Sequence, residues 1–242
     1  MKSIAKREAQ LISEIRSREM VVFTPNDIHR FLDTSKENTY RIIGNMMEKD
    51  LVKRVERGKY ILSETWKELD IYEIVPDIFQ PCYIAFWSAL HYHGMTDQVP
   101  QTVFVVTTKR KKSLGLQGQK IKYVTVKKSL FFGYERYGKV VVSDKEKTVI
   151  DCLRHPEYSG GISQIKDAIS DELNTERLIE YCELTGSSAV ASRLGYLLEE
   201  RGIKFEKKEL KKLIDTYTKL DPKQKKSVSN SEWKLYVKRD LI

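Results

Sequence analysis

Residues 24–62 read TPNDIHRFLDTSKENTYRIIGNMMEKDLVKRVERGKYIL, and this stretch decides the N-terminal fold. Thr24 is a natural helix N-cap, Pro25 suits the first helical position, and Asp27 complements the positive first turn. A helix therefore starts here, with Ile28, Phe31 and Leu32 on its buried face. Asp33-Thr34-Ser35 makes a short polar turn. Thr39, Ile43 and Met46 at i, i+4 and i+7 predict a further helix from about Lys36 to Lys49. Two short strands follow, Leu51–Val55 and Tyr60–Leu62, joined by Glu56-Arg57-Gly58-Lys59 with glycine at the tight-turn position. Upstream, Ile4, Leu11, Ile12 and Ile15 recur near the helical period and give an amphipathic helix over residues 4–18. Three helices and a basic hairpin read as a winged helix-turn-helix over residues 1–65.

That arrangement carries a binding chemistry. A recognition helix enters the major groove while the hairpin reaches the flanking backbone. With Thr39, Ile43 and Met46 turned inward, Lys36, Asn38, Tyr40, Arg41 and Asn45 face out. Arginine pairs with guanine and asparagine with adenine in a bidentate way, which assigns base readout to Arg41, Asn38 and Asn45. Arg54, Arg57 and Lys59 on the hairpin suit phosphate contacts. The expected partner is double-stranded operator DNA.

The charge pattern extends this reading. The 242 residues carry 43 Lys and Arg against 34 Asp and Glu, a net charge of +9. The excess is not uniform. Residues 99–142 hold ten basic side chains and the single acid Glu135, whereas the flanking blocks 66–98 and 143–200 are acidic and 201–242 is basic again. Such alternation points to two basic surfaces or to docking of one block on another. Lys109-Arg110-Lys111-Lys112 is the densest run, a candidate anion or partner surface. The longest apolar stretches, Ile84–Leu90 and Val103–Val106, fall far short of the roughly 20 residues of a membrane span. The charged N-terminus is not a secretory signal, so a cytoplasmic protein without membrane contact is expected. Cys82, Cys152 and Cys182 are isolated and odd in number, hence buried hydrophobes rather than a disulfide or zinc framework.

Beyond Ser63 the composition changes, and residues 66–80 read as a linker or first element ending at Pro81. A mostly buried helix is expected over 83–93, closed by Gly94. β-rich runs at Val103–Thr107, Ile121–Val126 and Val140–Val142 follow, the first two bracketing the Lys109–Lys112 loop as a hairpin. Ser143-Asp144-Lys145-Glu146 reads as a capping box that opens a helix ended by His155-Pro156. Helices are expected at 162–170, 175–184, 188–201 and 204–219, then a charged linker from Asp221 to Lys226 and a tail with Trp233. The fold class is thus α/β (α+β): a winged helix, an α/β domain over 66–220 with a small mixed sheet, and a tail over 221–242.

Several motifs suggest enzymes and fail on chemistry. Gly133 to Lys139 has phosphate-loop spacing, but Val140 stands where a magnesium-binding hydroxyl is needed and the run leads into a strand. Gly186-Ser187-Ser188 lacks the paired carboxylates that a nucleotidyltransferase site requires downstream, and serves as well as a helix cap. His91 and His93 at i and i+2 do not share a helix face. No catalytic residue, metal site or cofactor is expected.

Tyr83 to Gln98 (YIAFWSALHYHGMTDQ), Pro100 and TVFVVTTKR (Thr102–Arg110) together resemble the signature of the AbiEi-type antitoxins. SDKEKTVIDCLRHP (Ser143–Pro156), Gly160-Gly161 and SRLGYLLE (Ser192–Glu199) extend the resemblance to about residue 200. It implies a DNA-binding autorepressor and antitoxin of a bicistronic abortive-infection system, counteracting a nucleotidyltransferase-like toxin. Neutralisation in such type IV systems need not involve a stable complex. Two alternatives stay open on the residues alone: a stand-alone winged-helix regulator with a ligand-sensing α/β domain, and a degenerate nucleotidyltransferase-like enzyme.

Overall fold

The computed structural model describes residues 3–225 and 227–238. The chain divides into two compact units. The first comprises residues up to Gln80 together with Leu116–Gly118, and the second comprises the remainder. The division falls after Gln80, whereas the sequence reading places it at residue 65.

In the first unit, α1 (Lys6–Ser17), α2 (Pro25–Leu32) and α3 (Lys36–Glu48) precede β1 (Val52–Glu56) and β2 (Lys59–Leu62). The starts follow the cap chemistry. Thr24 and Asp27 bond reciprocally at the start of α2, and Ser35 Oγ accepts from the Asn38 amide at the start of α3. The hairpin is antiparallel, with a bulge between Arg54 and Glu56, and Gly58 takes φ +75° at its turn. Leu11, Ile15, Phe23, Ile28, Ile43, Met46, Val52 and Leu62 form a core to which all five of these elements contribute. Two helices complete the unit, α4 (Ser63–Glu68) and α5 (Ile71–Ile78), where the sequence suggests a linker. Their reason is local: Asp70 caps α5 by accepting from the Tyr72 and Glu73 amides, and Ile71, Ile74, Val75 and Ile78 are buried.

The second unit is built on a six-stranded sheet. Its strands are β3 (Cys82–Ile84), β4 (Thr102–Thr107), β5 (Leu114–Leu116), β6 (Gln119–Thr125), β7 (Tyr134–Tyr137) and β8 (Val140–Ser143), in the order β5-β6-β4-β3-β8-β7. The segment expected as one helix over 83–93 is a strand that turns into α6 (Phe86–Tyr92). Tyr83 pairs with Val106, and Phe86 at φ +55° breaks the strand. Ser88 then repairs the ladder, its hydroxyl accepting from the Phe104 amide and donating to the Thr102 carbonyl. β4 and β6 pair in parallel, from Thr102↔Lys120 to Thr107↔Thr125, so the Lys109–Lys112 loop is a crossover segment and not a hairpin.

Helix α7 (Lys145–Arg154) lies in the core with α8 (Ile162–Ala168), α9 (Thr175–Thr185) and α10 (Ser188–Glu200). Asp144 caps α7, while Ser143, expected to share that role, ends β8 and bonds Thr148. The C-terminal region departs most from expectation. The helix expected over 204–219 is only α11 (Lys207–Lys212), and β9 (Thr218–Lys219), β10 (Val228–Asn230) and β11 (Leu235–Val237) form a three-stranded sheet. Trp233, Leu235 and Val237 belong to the main core, so the expected tail is structural. Lys226 of the expected linker and residues 239–242 of the tail lie outside the described residues. Buried Arg193 ties the region down by donating to the carbonyls of Leu153 (2.7 Å) and Lys219 (2.9 and 3.1 Å).

Trp233 rests on the backbone of α10 at Gly195, where an added Cβ would lie 2.1 Å from the indole ring. Its Nε1 donates to Glu199 at 2.5 Å. The ring fits because position 195 has no side chain. Gly195→Ala is expected to cost about 3 kcal/mol in urea unfolding. Trp233→Leu in the same background should recover part of that loss, because a smaller side chain relieves the collision.

Candidate nucleic-acid interface and antitoxin domain

The α2–α3 turn sets the direction of α3. Asp33 adopts a left-handed conformation at φ 41°, which ends α2 sharply. The next residue, Thr34, is buried and held from two sides, by His29 on its carbonyl and by Arg7 on its hydroxyl at 3.0 Å. α3 then buries Thr39, Ile42, Ile43 and Met46. Its other positions point outward: Lys36, Tyr40, Arg41 and Asn45 are exposed, with Tyr40 at 60%, and Asn38 is half-buried. On the hairpin Arg54 and Arg57 are exposed. Lys59 has a different environment. It is half-buried, pairs with Glu56 at 3.0 Å and donates to the Ile78 carbonyl, so its charge is engaged within the unit.

The outward face is held by an ion pair behind it. Glu8, 3% exposed on α1, meets Lys49 at the end of α3 at 2.7 Å. Burial pushes the Glu8 carboxyl up, but hydrogen bonds from Lys49 and the Ala5 amide, with the Lys49 charge, outweigh it and hold it below the ordinary value. On the α1–α2 side, Arg18 and Arg30 bracket the Phe31 ring at 4.6 and 5.6 Å beside a cleft of about 410 Å³. Glu14 and Asp27 pair with these arginines, so their charges are answered locally.

In the second unit, Lys109, Arg110 and Lys112 are exposed and Lys111 is half-buried. The crossover holds them out because Thr107 Oγ1 accepts from the Lys109 amide and the strands on either side belong to the sheet. The outward face of α3 and this run lie in different units.

The sequence reading missed a buried polar centre. Lys147 is 1% exposed and donates to Asp151 Oδ1 and, at 3.1 Å, to the Tyr83 hydroxyl. That hydroxyl donates to Asp151 Oδ2 at 3.1 Å, and burial raises the Tyr83 phenol well above its usual range. Nearby, Asp144 accepts from Tyr181 at 2.8 Å, and burial raises its carboxyl. The signal was present as Lys147 and Asp151 at i, i+4, hidden because Val149, Ile150 and Leu153 already account for the inward face. Among the described residues no group of three His, Cys, Asp or Glu side chains is placed to hold a metal ion. Cys82, Cys152 and Cys182 are buried, and burial pushes the Cys182 thiol up to about 12. No helix among the described residues is long and apolar enough to cross a membrane.

Residues 83–200 match the model of the AbiEi antitoxin C-terminal domain. Over that stretch, just under half of its length, the chain is similar to the AbiEi-type antitoxins. The match begins at Tyr83 on β3 and ends with α10, so it covers most of the sheet, the Lys147 centre and Gly195, and stops short of Trp233. No curated protein matches the sequence. Among solved structures, the crystal structure of the RV2827C protein from Mycobacterium tuberculosis is similar in fold, with a TM-score of 0.65 at 15% identity. The alignment covers 98% of this chain and 93% of that one. The family supports a toxin–antitoxin role.

The Glu8–Lys49 pair can be read in solution. Because the folded carboxyl is depressed, its stabilisation is present above the ordinary glutamate range and is lost as pH falls through the folded value. Glu8→Gln should cost about 1–2 kcal/mol at neutral pH. In urea melts the difference from the parent chain should shrink as the medium is acidified.

Proposed function

We propose that this chain is the autorepressor and antitoxin of a bicistronic toxin–antitoxin system: the first unit binds operator DNA and the second counteracts a nucleotidyltransferase-like toxin, without enzymatic activity of its own. The antitoxin half is carried by the family match over residues 83–200. The DNA-binding half is carried by the α3 face, where Lys36, Tyr40, Arg41 and Asn45 are exposed beside the Arg54 and Arg57 hairpin. A second reading, a regulator that senses a small ligand, is favoured by one observation. A cleft of about 520 Å³ in the second unit is walled by Trp87, Phe104 and Pro156 and edged by Glu157 and Asp221, a volume within the range of ligand pockets. Growth rescue on co-expression with the adjacent gene separates the two, since the second reading requires none.

On the DNA side, Arg41→Ala should weaken binding to the chain's own promoter by about 1–3 kcal/mol and relax base preference. Arg57→Ala should weaken all duplexes alike, because a phosphate contact carries no sequence information. Gel-shift titration against promoter and random duplex distinguishes these outcomes, and equal affinity of the parent chain for both would defeat the reading.

For the second unit, changing Lys109, Arg110, Lys111 and Lys112 together to Ser should leave the circular dichroism spectrum intact. Either promoter affinity or toxin neutralisation should fall, with the affected interaction being salt-sensitive in the parent chain. Full activity in both assays would reduce the run to a solubility role.

A further inference from the structure

The far edge of the six-stranded sheet is unlike the rest of its surface. β7 ends the strand order, and all four of its residues are exposed, while all four of β8 beside it are buried. Three tyrosines stand out around this one strand: Tyr92 is 36%, Tyr134 41% and Tyr137 46% exposed. They are not loose. Tyr134 stacks on buried Tyr83, with ring centres 5.1 Å apart and planes 11° from parallel, and leans on Phe131 at 4.9 Å. Tyr137 lies 6.3 Å from Tyr92, and its hydroxyl donates to Glu135. Rings backed in this way present π-surface to solvent at little further cost in side-chain freedom.

The chain on either side of β7 is cationic. Lys127, Lys128, Arg136 and Lys139 are exposed next to these rings in sequence, and Glu135 is the single acid between residues 99 and 142. Strand alternation places Tyr134 and Arg136 on one face and Glu135 and Tyr137 on the other. A duplex has no unstacked base to offer a tyrosine, whereas a single strand has a π-face at every nucleotide. Four cations against one carboxylate favour a polyanion over an extended peptide on this edge.

We propose that the β7 edge is a docking surface for single-stranded nucleic acid that passes around the open strand, with bases stacking on Tyr134 on one face and on Tyr137 on the other and phosphates facing Arg136, Lys139, Lys127 and Lys128. It is separate from the α3 face and independent of operator binding.

The test is fluorescence anisotropy of the full chain with labelled oligo-dT and oligo-U of about 12 nucleotides, a typical site length for such platforms. Both should bind more tightly than an unrelated duplex of equal length. Tyr134→Ala with Tyr137→Ala should weaken them about tenfold or more. Phe at both positions should retain binding, because the rings remain, and Arg41→Ala should leave it unchanged. A bromouridine oligonucleotide should photo-crosslink within residues 127–139, which decides the matter if the alanine variant fails to fold. The proposal is overturned by oligonucleotide binding no tighter than duplex, by unchanged affinity in a folded alanine variant, or by crosslinks confined to residues 36–59. Failure of the operator reading would look different: promoter selectivity would be missing while oligonucleotide binding and its dependence on the tyrosines persisted.

Discussion

Lys147 is buried at the centre of the second unit, and a charge held there must be answered within hydrogen-bond reach, because leaving it unpaired costs several kcal/mol. Asp151, one helical turn along α7, supplies the counter-charge, and Tyr83 on β3 bonds both partners. A helix and a strand are thereby locked in one register around three side chains. Gly133 takes part by omission: a Cβ there would lie 2.9 Å from Lys147 Cβ, so the chain passes over the lysine only as glycine. Its φ of +66° then directs the chain into β7. The exposed tyrosine edge is thus aimed from the buried centre.

The first unit follows a different logic. Its polar groups work at element ends, where capping, the Thr34 clasp and the Glu8–Lys49 pair fix how three helices meet. These devices leave the outward side of α3 free of structural duty. Where a cation does have a structural duty, as Lys59 has with Glu56 and Ile78, it is withdrawn from that surface.

Much of this was legible in the residues. Thr24-Pro25, Ser35 and the Glu56–Lys59 turn mark element ends by local chemistry, and local chemistry is what a sequence displays directly. Tyr83 to Tyr92 was harder, because YIAFWSALHY satisfies a buried helix and a buried strand equally; only pairing with β4, distant in the chain, makes its first three residues a strand. The C-terminal sheet was illegible for the same reason, since Trp233 has its seat 38 residues earlier, at Gly195. Tyr134 and Tyr137 fall in the Gly133–Lys139 run, which reads in sequence only as a lead into the strand at 140–142; pairing with β8 makes it an edge strand.

The seating of Trp233 on Gly195 also bears on the order in which the protein can be made. Domains complete their cores as the chain emerges during synthesis, and unfinished apolar surface is prone to aggregation and to proteolysis. Here α10 is translated well before the indole that covers it, followed by Leu235 and Val237. Without those residues the backbone at Gly195 and the apolar flank of α10 lack their cover, so a chain ended between residues 200 and 233 would carry a second unit with an open side. The second unit's core is therefore closed by residues far along the chain from the helix they cover.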